Sequence, residues 1–212
     1  MPDLFSPEAG RLDLNEFSAL PQSHNLLHYW PDWLSSVRAG ELFECLSRQV
    51  AWEQSKVRIN GQWVPIPRLN AWYADQGCDY TYSGARFQPL AWPAELSEIK
   101  SELEQALNQP FNACLINLYR DGQDSVGWHC DDEPELGAAP AIASISLGQV
   151  RDFQLRPCAV DSKLSPYNVP LMSGALFYMA PGAQLRWQHQ VPKTRKVVGA
   201  RISLTFRYVI PR

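Results

Sequence analysis

His129 and Asp131 stand two positions apart in the segment GWHCDDE, and a further imidazole, His189, follows sixty residues later in RWQHQVP. On extended chain, side chains at i and i+2 face the same side, so an imidazole and a carboxylate converge. His189, arriving on another strand, completes a set of two imidazoles and one carboxylate. Gathered on one face of a metal, such a set leaves the opposite positions open, the arrangement of non-haem iron(II) oxygenases. The same donors also serve hydrolytic zinc, and a bare HxD is too short a motif to choose between them.

The segment ARISLTFRYV narrows the choice. Strict alternation places Arg201, Ser203, Thr205 and Arg207 on one face and Ile202, Leu204, Phe206 and Tyr208 on the other. The apolar face suits packing on helices. The polar face would carry two guanidiniums into a barrel interior, which is costly unless anions meet them. Six residues of strand separate the two arginines by roughly 20 Å. Either their side chains reach one small dianion from both ends, or one grips it while the other serves the metal site. ACLINLYR repeats the device with Asn117 and Tyr119 at i and i+2. A dianionic cosubstrate beside the ligand set favours iron over zinc.

These residues need a scaffold. The 212 residues are 45% apolar, with eight each of Trp, Tyr and Phe, enough for one domain with a sizeable core. The formal charge of −3 argues against a wholly basic surface, so any nucleic-acid partner is held by a local patch. No apolar run approaches the roughly 20 residues of a membrane helix, and MPDLFSPEAG has no signal-peptide character. Five scattered cysteines without a CxxC point to reduced thiols in a cytosolic protein.

Residues 1–25 read as a loosely structured lead-in. A helix is expected over 35–50, striped by Val37, Leu42, Phe43 and Leu46. Short β pieces follow over 57–92, with Asn60-Gly61 as a hairpin signal. Pro93 opens a second helix whose Leu96, Ile99, Leu103 and Leu107 share a face. Beyond residue 111 the texture is strand after strand: ACLINLYR, AIASISLG, DFQLRP, ALFYMA and ARISLTFRYV. Two helices and many short strands imply an α+β protein with a barrel or jelly-roll body.

The stretch from Asn112 to Tyr208 resembles the AlkB family of iron(II)- and 2-oxoglutarate-dependent dioxygenases. The likeness is carried by N-x-Y (Asn117, Tyr119), H-x-D followed by Asp132 and Glu133, the isolated His189, and R-x-S-x-T-F-R from Arg201 to Arg207. Upstream, GQWVPIPR, AWYADQG and DYTYSG look like the substrate lid of the homologues that repair DNA. The resemblance implies a double-stranded β-helix (jelly-roll) core with supporting N-terminal helices and a nucleotide-recognition lid. The expected division is an N-terminal extension (1–56), lid (57–92) and dioxygenase jelly roll (93–212) within one structural domain.

By the same resemblance, His129, Asp131 and His189 hold Fe(II), while Asn117, Tyr119, Arg201, Ser203, Thr205 and Arg207 hold 2-oxoglutarate, with O2 as oxidant. Arg201 is expected on the distal carboxylate, helped by Tyr119, and Arg207 near the keto-acid end. Ser203 stands where the family often has Asn, keeping one hydrogen bond and weakening the cosubstrate site. The implied reaction is oxidative demethylation of alkylated nucleobases in DNA or RNA, releasing formaldehyde, succinate and CO2. Modified RNA, protein side chains or another small substrate are the alternatives.

The implied substrate contacts are Arg68, Tyr80, Tyr82, Ser83, Asp132 and Glu133. Trp72 and Trp128 join the two tyrosines as aromatics able to sandwich a base. The hairpin tip Ile59-Asn60-Gly61 lacks the large wedge used on duplexes, which favours single-stranded or loosely paired DNA. Lys193, Arg195 and Lys196, with Lys56, Arg58 and Arg68, form the basic patch that backbone contact requires. Cys130 points away from its flanking ligands and takes no role. A cytoplasmic monomer is expected.

Overall fold

The computed structural model of the chain describes residues 25–59, 61–82, 85–159 and 166–211, with the backbone alone at 59, 80–82 and 85–87. In chain order the elements are β1 (Leu27–Trp30), α1 (Ser36–Gln49), β2 (Lys56–Ile59), β3 (Gln62–Pro65), β4 (Leu69–Ala74), β5 (Tyr80–Tyr82), β6 (Ala85–Phe87) and α2 (Ala94–Leu107). Then come β7 (Ala113–Tyr119), β8 (Val126–His129), β9 (Ile142–Gly148), β10 (Arg151–Pro157), β11 (Tyr167–Leu171), β12 (Leu176–Met179), β13 (Trp187–Val191) and β14 (Arg201–Arg207).

From β7 onward the chain passes back and forth between two sheets, except that β10 and β11 form a hairpin within one of them. One runs β1-β12-β9-β14-β7-β4, the other β11-β10-β13-β8. That alternation, with antiparallel pairing throughout, is a jelly roll. The α2 stripe holds, with Leu96, Ile99, Leu103 and Leu107 buried. In α1, Leu42 and Leu46 are buried and Phe43 is half-buried, whereas Val37, expected on the same face, is exposed, with Ala39 buried in the inner face instead. Both helices share one core cluster with Ile202, Leu204 and Phe206 of β14. A second cluster, including Leu115, Phe153, Leu155 and Phe177, fills the space between the sheets. Burial of this kind contributes about 25 cal/mol per Å² of apolar surface removed from water.

Ser35 caps α1, its Oγ accepting from Arg38 N at 3.3 Å, and Asn108 ends α2 in the left-handed region. Gly148 turns β9 into β10 at φ +83°; a Cβ there would meet the Phe43 ring at 2.6 Å and Ala200 O at 2.7 Å. The hairpin expected at Asn60-Gly61 is formed by β2 and β3, although Asn60 itself lies outside the described residues, as do residues 1–24. Tyr208 departs from the alternation: β14 ends at Arg207, and Tyr208 is largely exposed rather than packed on a helix. Among the described residues no helix is long and apolar enough to cross a membrane.

Candidate active site

Antiparallel pairing of β8 with β13 sets His129 opposite His189, and their ring centroids lie 4.2 Å apart. Asp131 follows just past the end of β8. Its Oδ1 is 3.9 Å from His129 Nε2 and its Oδ2 3.8 Å from His189 Nε2. One donor atom from each of the three falls within 4.8 Å of the others. His129 Nδ1 lies 2.8 Å from Gly127 O. A carbonyl only accepts, so Nδ1 carries the proton and the Nε2 lone pair faces Asp131 and His189. Asp131 is fixed from two sides, by its own N–H donating to Gln184 Oε1 at 2.9 Å and by Arg207 Nη2 donating to Oδ1 at 2.7 Å.

Burial pushes His189 down to about 3, and burial likewise holds His129 below its ordinary value against the opposing pull of Asp131. Both imidazoles are therefore neutral at physiological pH, the form that binds a metal. Burial works against ionisation of Asp131, but Arg207 together with the neighbouring His189 and His129 outweighs it and keeps the carboxyl below the usual range. The trio is a preformed donor set for a divalent cation.

The same pocket continues to Arg201. Its Nη2 donates to Ser146 Oγ at 2.7 Å, while Nε and Nη1 are buried without a hydrogen-bond partner. Tyr119 lies against it, with the ring centroid 5.2 Å from Cζ. Arg68 Nε donates to Asn117 Oδ1 at 2.9 Å, which leaves the Asn117 NH2 as the side-chain donor available to the pocket. Among the described residues, three guanidiniums (Arg68, Arg201, Arg207) but one carboxylate (Asp131) line the cavity. Buried positive charge in excess calls for an anion, and Arg201 has free donors aimed at one.

A family model for the 2OG-Fe(II) oxygenase superfamily matches residues 26–207. The chain belongs to that superfamily. Within it the likeness is to AlkB-type oxygenases. The chain is 36% identical to the mouse (Mus musculus) alpha-ketoglutarate-dependent dioxygenase alkB homolog 3 over 203 residues, covering 92% of this chain and 70% of the relative. It is 35% identical to the human (Homo sapiens) DNA oxidative demethylase ALKBH2 over 180 residues, covering 81% and 69% respectively. The solved structure of OsALKBH1 superposes with a TM-score of 0.60 at 18% identity, over 86% of this chain and 96% of that one, and so shares the fold. The chain is thus an AlkB-like 2-oxoglutarate-dependent dioxygenase, an enzyme class that uses Fe(II), 2-oxoglutarate and O2. The two-imidazole, one-carboxylate donor set and the unpartnered nitrogens of buried Arg201 fit that metal and that dianion.

The oxygenase places the other sequence-expected residues unevenly. Ser203 and Thr205 line the pocket with Arg201 and Arg207, and Ser203 Oγ lies 3.3 Å from Ser144 Oγ. Arg207 stands against Asp131 on the metal side. Arg68, expected among the substrate contacts, is buried, donates to Asn117 and lines the cavity. Asp132 is exposed and Glu133 half-buried, and neither lines the cavity. Ser83 lies outside the described residues; Tyr80 and Tyr82 sit on β5, described by backbone alone.

Trp72 is a core residue, 1% exposed, donating to Cys78 O, so it does not reach a base. Trp128 is half-buried beneath Arg156, whose Cζ is 4.3 Å from its ring centroid. Lys56, Arg58, Lys193, Arg195 and Lys196 are all exposed. Cys130 turns away from the cluster toward Cys158, 3.9 Å between sulfurs. Sequence reasoning missed Ser144, Ser146, Gln184 and Arg151. The alternation in AIASISLG carried the signal for the two serines; nothing local marked the others.

Proposed function

We propose that this oxygenase oxidatively demethylates alkylated nucleobases in DNA, acting as a cytoplasmic monomer with single-stranded or loosely paired substrates preferred. The observation that carries the reading is the His129–Asp131–His189 donor set, two neutral imidazoles and one carboxylate, opening into a pocket with surplus guanidiniums. The relative named DNA oxidative demethylase adds the substrate class. The five cysteines are free thiols, in keeping with a reducing compartment.

In this reading His129, Asp131 and His189 hold iron. Arg201 and Tyr119 take the distal carboxylate of 2-oxoglutarate, with Asn117, Ser203 and Thr205 alongside. Arg207, tied to Asp131, stands at the metal end. Iron(II) with 2-oxoglutarate and O2 supplies an oxidant for an N-methyl carbon, whose hydroxylated form collapses to formaldehyde and the restored base, leaving succinate and CO2. Arg207 and Gln184 keep Asp131 oriented, and His129 keeps its proton on Nδ1, donated to Gly127 O, so that Nε2 remains a ligand. Leu115, Val126, Phe153, Met179 and Val191 wall the cavity with apolar surface, which limits water at the reacting centre. Residues 57–92, apart from β4, which pairs with β7 in the body sheet, act as the base-recognising lid, with Arg68, Tyr80, Tyr82, Ser83, Asp132 and Glu133 as the substrate contacts. The exposed basic residues at 56, 58, 193, 195 and 196 meet the phosphate backbone.

The test is incubation with ferrous iron, 2-oxoglutarate and methylated oligonucleotides, single- and double-stranded, with formaldehyde and restored bases measured. Both products are expected, faster on single strands. Turnover that survives His129→Ala or Asp131→Ala overturns the metal assignment. Succinate without base restoration overturns the nucleobase.

A further inference from the structure

Tyr119 stands next to two guanidiniums, not one. Arg201 Cζ is 5.2 Å and Arg151 Cζ 5.8 Å from its ring centroid. Arg151 is 3% exposed yet takes no part in the cavity wall. Its Nη1 donates to Asp121 O at 2.8 Å, and its Nη2 to Asp124 O at 2.9 Å and Pro192 O at 2.7 Å. One head group therefore spans the loop leading into β8 and the loop leaving β13, the two strands that carry His129 and His189. The loops also touch directly: Thr194 N donates to Gly122 O at 2.8 Å, and a Cβ on Gly122 would come within 2.5 Å of Thr194 O.

Those three carbonyl partners carry no formal charge, and the carboxylates of Asp124, Asp121 and Asp152 offset the charge of Arg151 only in part and through space. The Asp124 carboxylate is already gripped by Arg120, whose Nε and Nη2 donate to its two oxygens at 2.7 and 2.9 Å. Arg151 so adds positive potential behind Tyr119, at the end of the pocket where Arg201 keeps unpartnered nitrogens. Fixed to three carbonyls, it cannot swing forward to touch a ligand.

We infer that Arg151 is a positioning residue for the cosubstrate, bracing Tyr119 from behind and supplying a second positive charge that selects 2-oxo acids bearing a distal carboxylate. The inference rests on the 2-oxoglutarate reading of the pocket. A through-space charge acts on the distal carboxylate and leaves the shared 2-oxo acid head alone. Its signature is therefore the preference for 2-oxoglutarate over 2-oxopentanoate, which has the same five-carbon chain and a methyl group in place of that carboxylate.

The experiment is calorimetric titration of the Mn(II)-loaded full chain with each acid, for wild type, Arg151→Met and Arg151→Lys. In Arg151→Met the affinity for 2-oxoglutarate is expected to fall about tenfold, as for loss of one partly screened charge, with 2-oxopentanoate little changed. Arg151→Lys, keeping the charge without the three-carbonyl bridge, should retain most of the preference while both acids bind somewhat more weakly. An equal loss for both acids in Arg151→Met, or none, overturns the inference. If the methionine variant does not fold, the lysine variant decides: its preference collapsing as a folded protein overturns the charge role, and its preference persisting supports it. A wild-type chain that does not prefer 2-oxoglutarate would instead sink the cosubstrate reading itself, before any variant is considered.

Discussion

β7 and β14 bury almost every side chain along seven residues each, whereas all four residues of β3 in the upstream hairpin are exposed, Trp63 at 54%. The first pair lies inside a six-stranded sheet; β2 and β3 form a ribbon of two strands, a unit with little stability of its own. The difference teaches where this oxygenase needs rigidity. A metal and a small dianion are the same in every turnover, so Asn117, Tyr119, Arg201, Arg207 and His189 sit on strands locked by neighbours on both sides, with His129 on the edge strand β8 beside β13. The proposed polymer substrate changes from site to site, and the elements proposed to read it stand out from the body.

Four measurements break or sharpen that contrast. The largest effect is expected from Asp131→Ala, which removes the metal carboxylate and the 2.7 Å partner of buried Arg207. Breaking a buried pair costs about 3–5 kcal/mol. Thermal denaturation should show that loss in the metal-free protein, and turnover should vanish; a variant with unchanged melting would mean the interior pair is not held as rigidly as described. Next, Arg201→Met should raise the KM for 2-oxoglutarate about a hundredfold, the loss of charge-assisted hydrogen bonds. Its KM for oligonucleotide should stay near wild type, and parallel changes in both constants would erase the division between the two regions.

The third concerns pH. The folded-state pKa values of His129 and His189 lie below the ordinary 6.5, so below pH 6.5 the unfolded chain takes up protons that the folded one refuses. Stability is therefore present above that pH and lost as pH falls, by about 1.4 kcal/mol for His189 at pH 5.5, with His129 adding a loss of the same sign. Asp131, with its pKa lowered, adds a loss only at more acidic pH. Denaturant titrations at pH 7.5 and 5.5 should show the drop in wild type and a smaller one in His189→Gln. The smallest effect belongs to the hairpin. Trp63→Ala should change stability by less than about 0.5 kcal/mol and raise the oligonucleotide KM about fivefold, as for one lost stacking contact, while succinate formation without nucleic acid stays constant. A large fall in stability would show that β3 belongs with the body.

Much of the first region was legible in the sequence because alternation is a local rule. Arg201, Ser203, Thr205 and Arg207 line one cavity as their spacing required, and Asn117 and Tyr119 join them from β7. The convergence of His129 with Asp131 followed from the same rule. What alternation does not carry is the partner across the barrel. The Arg207–Asp131 pair links residues 76 positions apart, and Arg68 meets Asn117 over 49. Arg151 reads as one more charged residue at the start of a strand; only the folded loops bring three carbonyls to it. Trp72 misled in the other direction, since an aromatic beside a turn has the same local signature whether it stacks on a ligand or fills a core.

β14 pairs with β9 on one side and β7 on the other, yet among the described strands it comes after both in chain order. A ribosome making this protein releases β9 some sixty residues before β14 is complete, about 3–12 s at ordinary elongation rates. Through that interval the two flanking strands present open edges, the kind that invite pairing with other chains. Arg201 and Arg207 arrive with the strand that closes the gap. Each newly made copy therefore gains its sheet and its cosubstrate pocket in one event, and a polypeptide halted before residue 201 has neither.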